Sequence, residues 1–215
     1  MQSYPTEEAT FCLPGPVGKL EVRTTWPKLL KHRVVAIICH PHPQFEGTMH
    51  NKVVTSLFKA FDASGMPTVR FNFRGVGQST GDYANAVGEQ DDLHAVLQWV
   101  TATLPDYKVI LSGFSFGSYI AAAVANSESA LCLVTIAPPT HHFPLAELTS
   151  ITCPWLIVMG EDDEIVPLQA VKDFVSASDA AITLITLPET THFFHGQLLV
   201  LRDHVIAWLT SFVKA

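Results

Sequence analysis

Residues 109–127 carry no Asp, Glu, Lys or Arg and read VILSGFSFGSYIAAAVANS. A charge-free run of that length could cross a bilayer. Its middle argues otherwise: Gly113-Phe114-Ser115-Phe116-Gly117 clusters serines and glycines where a spanning helix would be uniformly apolar. A buried strand, a tight turn and a buried helix account for the run better, and a unit of that kind needs covering layers on both sides.

The rest of the chain repeats the same alternation. Strand-length apolar runs fall at 20–25, 33–39, 68–73, 108–114, 130–137, 155–159 and 182–187. Helical patterns lie between them at 51–64, 89–103, 116–126, 168–177 and 196–213. The continuous β-branched character of VVAII, KVILSGF, LCLVTI and WLIVMG suits strands covered on both faces, the mark of a parallel sheet. In the helix at 89–103, Leu93, Val96, Leu97 and Val100 keep inward spacing, and Asp91, Asp92 and His94 are expected outside. Strand–helix repetition of this kind implies right-handed crossovers and an open α/β sheet with helices on both faces. With 215 residues, 48% hydrophobic and 15% charged, the chain is too apolar to be disordered. No repeat or Ser- or Gly-rich linker divides it, so 1–215 is expected to be a single domain.

A formal charge of −7 and a pI near 5.7 leave no positive footprint for nucleic acid or an anionic membrane. The first ten residues hold two glutamates and no apolar core of a signal peptide, which points to the cytoplasm. Cys39 and Cys132 lie inside apolar runs, Cys153 sits just before another, and Cys12 stands alone. None forms a CxxC pair, so these read as structural thiols in a reducing compartment.

Sites in open α/β sheets lie beyond the carboxyl ends of the strands. There the sequence places G-x-S-x-G, a pattern that chance would supply roughly 0.04 times in a chain of this composition. It directly follows KVILSGF and opens SYIAAAVA, the setting a nucleophile elbow requires, with Ser115 exposed at its tip. A nucleophilic serine needs a base and the base an orienting acid, in the chain order Ser, acid, His. The acid falls in GEDDEIVP, where spacing leaves Glu161 to Glu164 open. For the base, His192 in its loop is preferred to His195, which sits near the start of the last helix, where the helix dipole disfavours an imidazolium. Acyl transfer also needs two backbone N–H groups for the oxyanion. Phe116, directly after the nucleophile, is one candidate. The other is His42 in His40-Pro41-His42-Pro43, because its proline neighbours have no N–H. His40, His42 and His50 flank one loop but lack carboxylates at ligand spacing, so no metal is expected.

The chain resembles the α/β-hydrolase superfamily along almost its whole length, and more narrowly the small bacterial serine hydrolases of the dienelactone-hydrolase-like branch. The resemblance is carried, in order, by HPHPQFEGTMHNKVV, RFNFRGVGQSTGDY, GFSFG, APP, GEDDEIVP and THFFHG. It implies a mostly parallel sheet of about eight strands whose second strand runs antiparallel, with the acid at Asp163 and the base at His192. Dienelactone hydrolases themselves usually carry cysteine at the elbow. Ser115 stands there in this chain, so their lactone chemistry does not transfer. Arg74, in RGVGQS, reads as a loop anchor. Members often insert a cap where this chain has only residues 138–154, too few for a lid domain.

The expected activity is therefore that of a serine hydrolase cleaving carboxylic esters or related small acyl compounds without a cofactor. The alternatives are a small peptidase or amidase with the same triad, and a catalytically silent binding protein on the same fold. Phe45, His141, His142 and Phe193, on loops after strands, are the expected pocket walls. The partner is a small acyl substrate, and a homodimer is left open.

Overall fold

The computed structural model describes residues 2–212. Its framework is a sheet in the order β1-β2-β4-β3-β5-β6-β7-β8. The central strands β3 (Val34–Cys39), β5 (Lys108–Phe114), β6 (Cys132–Ile136) and β7 (Trp155–Gly160) run parallel, with β4 (Thr68–Phe71) and β8 (Ile182–Leu187) parallel beside them. β3, β6 and β7 are buried at every residue, as strands covered on both faces must be. β2 (Gly18–Thr25) is antiparallel to both of its neighbours, β1 (Ala9–Gly15) and β4.

β1 is absent from the expected strands, for a physical reason. It is an edge strand with mostly half-buried or exposed side chains and a proline near its end, so it shows no continuous apolar run. Its identity comes from pairing, through a tight hairpin that sets Gly15 opposite Gly18.

The helices follow the sequence patterns closely: α1 (Lys52–Ala63), α2 (Val87–Thr103), α3 (Phe116–Ala125), α4 (Leu168–Ala177) and α5 (Leu198–Phe212). Asn51 caps α1, its Oδ1 accepting the Val53 amide at 2.8 Å. The expected end of α5 at Val213 lies outside the described residues. No helix among the described residues is long and apolar enough to cross a membrane, and the charge-free run is divided between β5 and α3. Between β6 and β7 the chain forms only loop and a short 3-10 turn at Leu145–Glu147, so there is no cap domain.

One expected orientation is corrected. Asp92 does not face outward but is fully buried, and His94 is half-buried, its Nδ1 3.5 Å from Glu128; only Asp91 is exposed. Asp92 meets Arg74 with Nη2 at 2.8 Å and Nε at 3.0 Å, and also accepts the Arg74 amide at 2.9 Å. Helical spacing read Asp92 as solvated because it is charged. The arginine that neutralises it comes from the loop after β4, which spacing along one helix cannot register. Arg74 thus anchors its loop to α2.

Candidate active site

The turn from β5 into α3 holds Ser115 at φ 53° and ψ −121°, a conformation costly for any residue with a side chain. Its surroundings enforce it. The Ser115 amide donates to the Ile136 carbonyl at 2.8 Å, and the Ser118 hydroxyl lies 2.9 Å from the Gly113 carbonyl and 2.8 Å from that of Ile136. Both glycines of the motif are sterically required. A Cβ on Gly113 would lie 2.1 Å from the Gly117 carbonyl oxygen, and one on Gly117 would lie 2.4 Å from that of Cys39. Without side chains there, α3 presses against the end of β3 and lifts Ser115 above the sheet edge.

Asp163 and His192 come from the loops after β7 and β8 and meet Ser115 on the same rim. His192 Nδ1 lies 2.8 Å from Asp163 Oδ2, and its Nε2 lies 3.1 Å from Ser115 Oγ. Both the carboxylate and the imidazole are shut off from solvent. Since a carboxylate can only accept, Nδ1 carries the proton, and Nε2 presents its lone pair to the serine hydroxyl. Asp163 is itself fixed, its Oδ1 accepting the amides of Ile165 at 2.9 Å and Val166 at 2.7 Å.

The run of four acids separates into distinct positions. Glu161 accepts the Thr186 hydroxyl, Asp162 is exposed, and Glu164 accepts the backbone amide of His192 at 3.0 Å. Only Asp163 reaches the imidazole. His195 is exposed, its ring centroid 6.0 Å from that of Phe193, and the ring nitrogen at Ser115 Oγ is that of His192. The loop bearing His192 is anchored by Phe194, fully buried at φ 54°.

The two candidate oxyanion residues, Phe116 and His42, are in contact through their rings. Phe116 is the first residue of α3, where an α-helix has no internal acceptor for its N–H groups. The loop after β3 turns sharply at His42, whose carbonyl accepts the amides of Phe45 at 3.0 Å and Gly47 at 3.1 Å. Its ring packs against Tyr83 and Phe116, each at 4.8 Å between centroids, and Phe45 at 4.9 Å. Burial pushes the His42 imidazole below the ordinary histidine range.

His40 holds the base of this loop. It is fully buried, its Nε2 accepts the Phe73 amide at 3.0 Å, and the proton this leaves on Nδ1 goes to the Pro41 carbonyl at 2.6 Å. Burial pushes its imidazole down to about 3, against the opposing pull of the Pro41 bond. An unfolded histidine titrates near 6.5, so between that pH and about 3 the unfolded chain binds a proton that the folded one refuses. Folding stability should therefore be fully present above pH 6.5 and fall by up to about 1.4 kcal/mol per pH unit below it. Urea midpoints measured from pH 7.5 to 4.5 check this. His40→Asn should take up about one proton fewer than wild type on unfolding in that window; parallel pH profiles for the two proteins would refute it.

A cavity of about 410 Å³ opens above Ser115. Three of the four expected wall residues, Phe45, His142 and Phe193, line it. His141 does not: its ring is tilted by 42° against that of His142, 3.9 Å between centroids, and the wall position goes to its neighbour. Glu46, Phe143 and Ile165 also line the cavity and were not anticipated. Ile165 had a sequence signal, since it is two residues past the acid, whereas Phe143 has none beyond its place after β6. A second cavity of about 490 Å³, between residues 145–152 and α4, contains none of Ser115, Asp163 or His192. Among the described residues no group of three or more His, Cys, Asp or Glu side chains is arranged to hold a metal.

Sheet order and elbow are those of an α/β hydrolase, and the chain belongs to that family: the family model for the alpha/beta hydrolase fold matches residues 37–152. The lidless core fits the dienelactone-hydrolase-like branch. An alpha-beta serine hydrolase homologue from Coxiella burnetii is 48% identical with a TM-score of 0.94, covering 97% of this chain and 100% of that one. A serine hydrolase without lid from Xanthomonas campestris is 40% identical with a TM-score of 0.95, covering 100% of this chain and 99% of that one. A Rickettsia prowazekii protein is 36% identical over 170 residues, 75% of this chain and 70% of its own length. The protein is thus a hydrolase of this fold.

Proposed function

We propose that the chain, as one domain over 1–215, hydrolyses small carboxylic esters through an acyl-enzyme on Ser115, with His192 as base and Asp163 as its orienting acid. The observation that carries this is the continuous line from Asp163 through His192 to Ser115, with bonds of 2.8 Å and 3.1 Å. Ser115 Oγ attacks the acyl carbon while its proton passes to His192 Nε2. The oxyanion so formed is held by the amides of Phe116 and His42, and Asp163 stabilises the imidazolium. Collapse breaks the bond to the alcohol oxygen, which takes the proton from Nε2 and departs. Water then attacks the acyl carbon and gives its proton to Nε2. The bond to Ser115 Oγ breaks, Oγ recovers that proton, and the free acid leaves.

An acyl-enzyme predicts a burst. With p-nitrophenyl acetate in excess, nitrophenol release should begin with about one equivalent per enzyme wherever deacylation is the slower step. Methanol added as a competing acceptor should yield methyl acetate and accelerate turnover. Nitrophenol release with no acetyl group transferable to methanol would contradict the intermediate. Matched p-nitroanilides should turn over far more slowly; equal rates would make the protein an amidase.

A further inference from the structure

We infer that the cavity above Ser115 selects substrates whose acyl portion is apolar and free of negative charge, and that Glu46 is the residue enforcing the second condition. The inference rests on the serine-hydrolase reading and narrows it to a substrate class.

Phe45, Phe143, Ile165 and Phe193 supply apolar wall, and three of these are open to solvent: Phe45 is 79% exposed, Ile165 46% and Phe193 38%. Exposed large apolar side chains gathered around a nucleophile form a surface that an alkyl or aryl group can cover. Among the described residues, no lysine or arginine lines this cavity, and Glu46 is its one carboxylate. The imidazole of His42 is held towards its neutral form, so it offers an entering anion little positive charge.

The backbone that carries Glu46 is fixed, and its side chain is exposed at the cavity. It sits at φ 57° and ψ 18°, and the next residue, Gly47, bonds the His42 carbonyl. A Cβ on Gly47 would lie 2.1 Å from the Pro41 carbonyl oxygen, so the turn is packed tightly against the loop that carries the candidate oxyanion donor. Lys52, the nearby cation, lines an adjoining cavity of about 300 Å³ that shares Glu46, Asn51 and Phe193 but excludes Ser115. An acyl carboxylate a few carbons from the scissile carbonyl therefore enters an apolar space beside Glu46, with no lysine or arginine to pair with. The chain's formal charge of −7 acts in the same sense at low salt.

The test uses three p-nitrophenyl esters with one leaving group and similar chain length: hexanoate, mono-adipate and 6-aminohexanoate. For wild type in low salt, kcat/KM for hexanoate should exceed that for adipate by about tenfold or more, and the gap should shrink in 0.5 M salt. Glu46→Gln should narrow the hexanoate-to-adipate ratio by about threefold to fivefold and lower 6-aminohexanoate relative to hexanoate. Glu46→Asn, which tolerates the left-handed backbone, is the second variant should Glu46→Gln fold poorly. Adipate turned over within twofold of hexanoate, or a ratio unmoved by either variant and by salt, overturns the inference. Esters hydrolysed equally well by Ser115→Ala would instead overturn the parent reading, and this one with it.

Discussion

Ser115→Ala should lower ester turnover by about 10⁴-fold or more while leaving the fold intact. The backbone argument makes the variant clean. Alanine keeps a Cβ at φ 53°, so it inherits the strain of the elbow without adding to it. What it removes is the single Oγ that faces His192 Nε2 at 3.1 Å. A fluorophosphonate probe, which reacts with an activated serine hydroxyl, should label wild type and leave Ser115→Ala unmodified. Equal labelling of the two proteins would move the nucleophile elsewhere. Matching thermal transitions would show that the lost activity is chemical.

Asp163→Asn should cost about 10³- to 10⁴-fold in kcat through a tautomer change. Oδ1 of Asp163 already accepts the amides of Ile165 and Val166, so asparagine must present its oxygen to them and turn its NH₂ towards His192. Nδ1 of the imidazole then has to accept, and the ring proton moves to Nε2. In that state Nε2 has no lone pair for the Ser115 proton. Asp162→Asn is the control, since Asp162 is exposed and does not touch the imidazole. It should retain activity within about threefold of wild type. Steady-state kinetics on the two variants decides the matter: a mild Asp163→Asn beside a crippled Asp162→Asn would assign the acid to the wrong residue.

Much of this arrangement is legible from sequence because strands buried on both faces announce themselves by continuous apolar runs, and loops after such strands are where a site must lie. The elbow is the clearest case: two glycines flanking Ser115 are demanded by carbonyl oxygens that a Cβ would strike. The less legible parts depend on partners distant in the chain. Asp92 looked like a surface charge until Arg74, from another loop, was brought against it. β1 could be recognised only by its pairing with β2. Four adjacent acids could not be ranked by spacing, because what separates them is which carboxylate a loop turns towards His192. His141 and His142 were likewise equivalent on paper, and the local turn sent only one of them into the wall.

The strand order has a consequence for how such a protein fails. Ser115 follows β5, which has β3 on one side and β6 on the other, whereas His192 follows β8, which has a neighbour only on its β7 side. Ser115 is built into the middle of the sheet and His192 is hung from the margin. Warming or mild denaturant loosens marginal strands ahead of flanked ones. β8 is one of the two margins of the sheet, β1 being the other, and fraying at β8 parts imidazole from hydroxyl while the central strands are still paired. Where β8 frays first, activity is expected to fall before the fold does, and following both on one thermal ramp checks it.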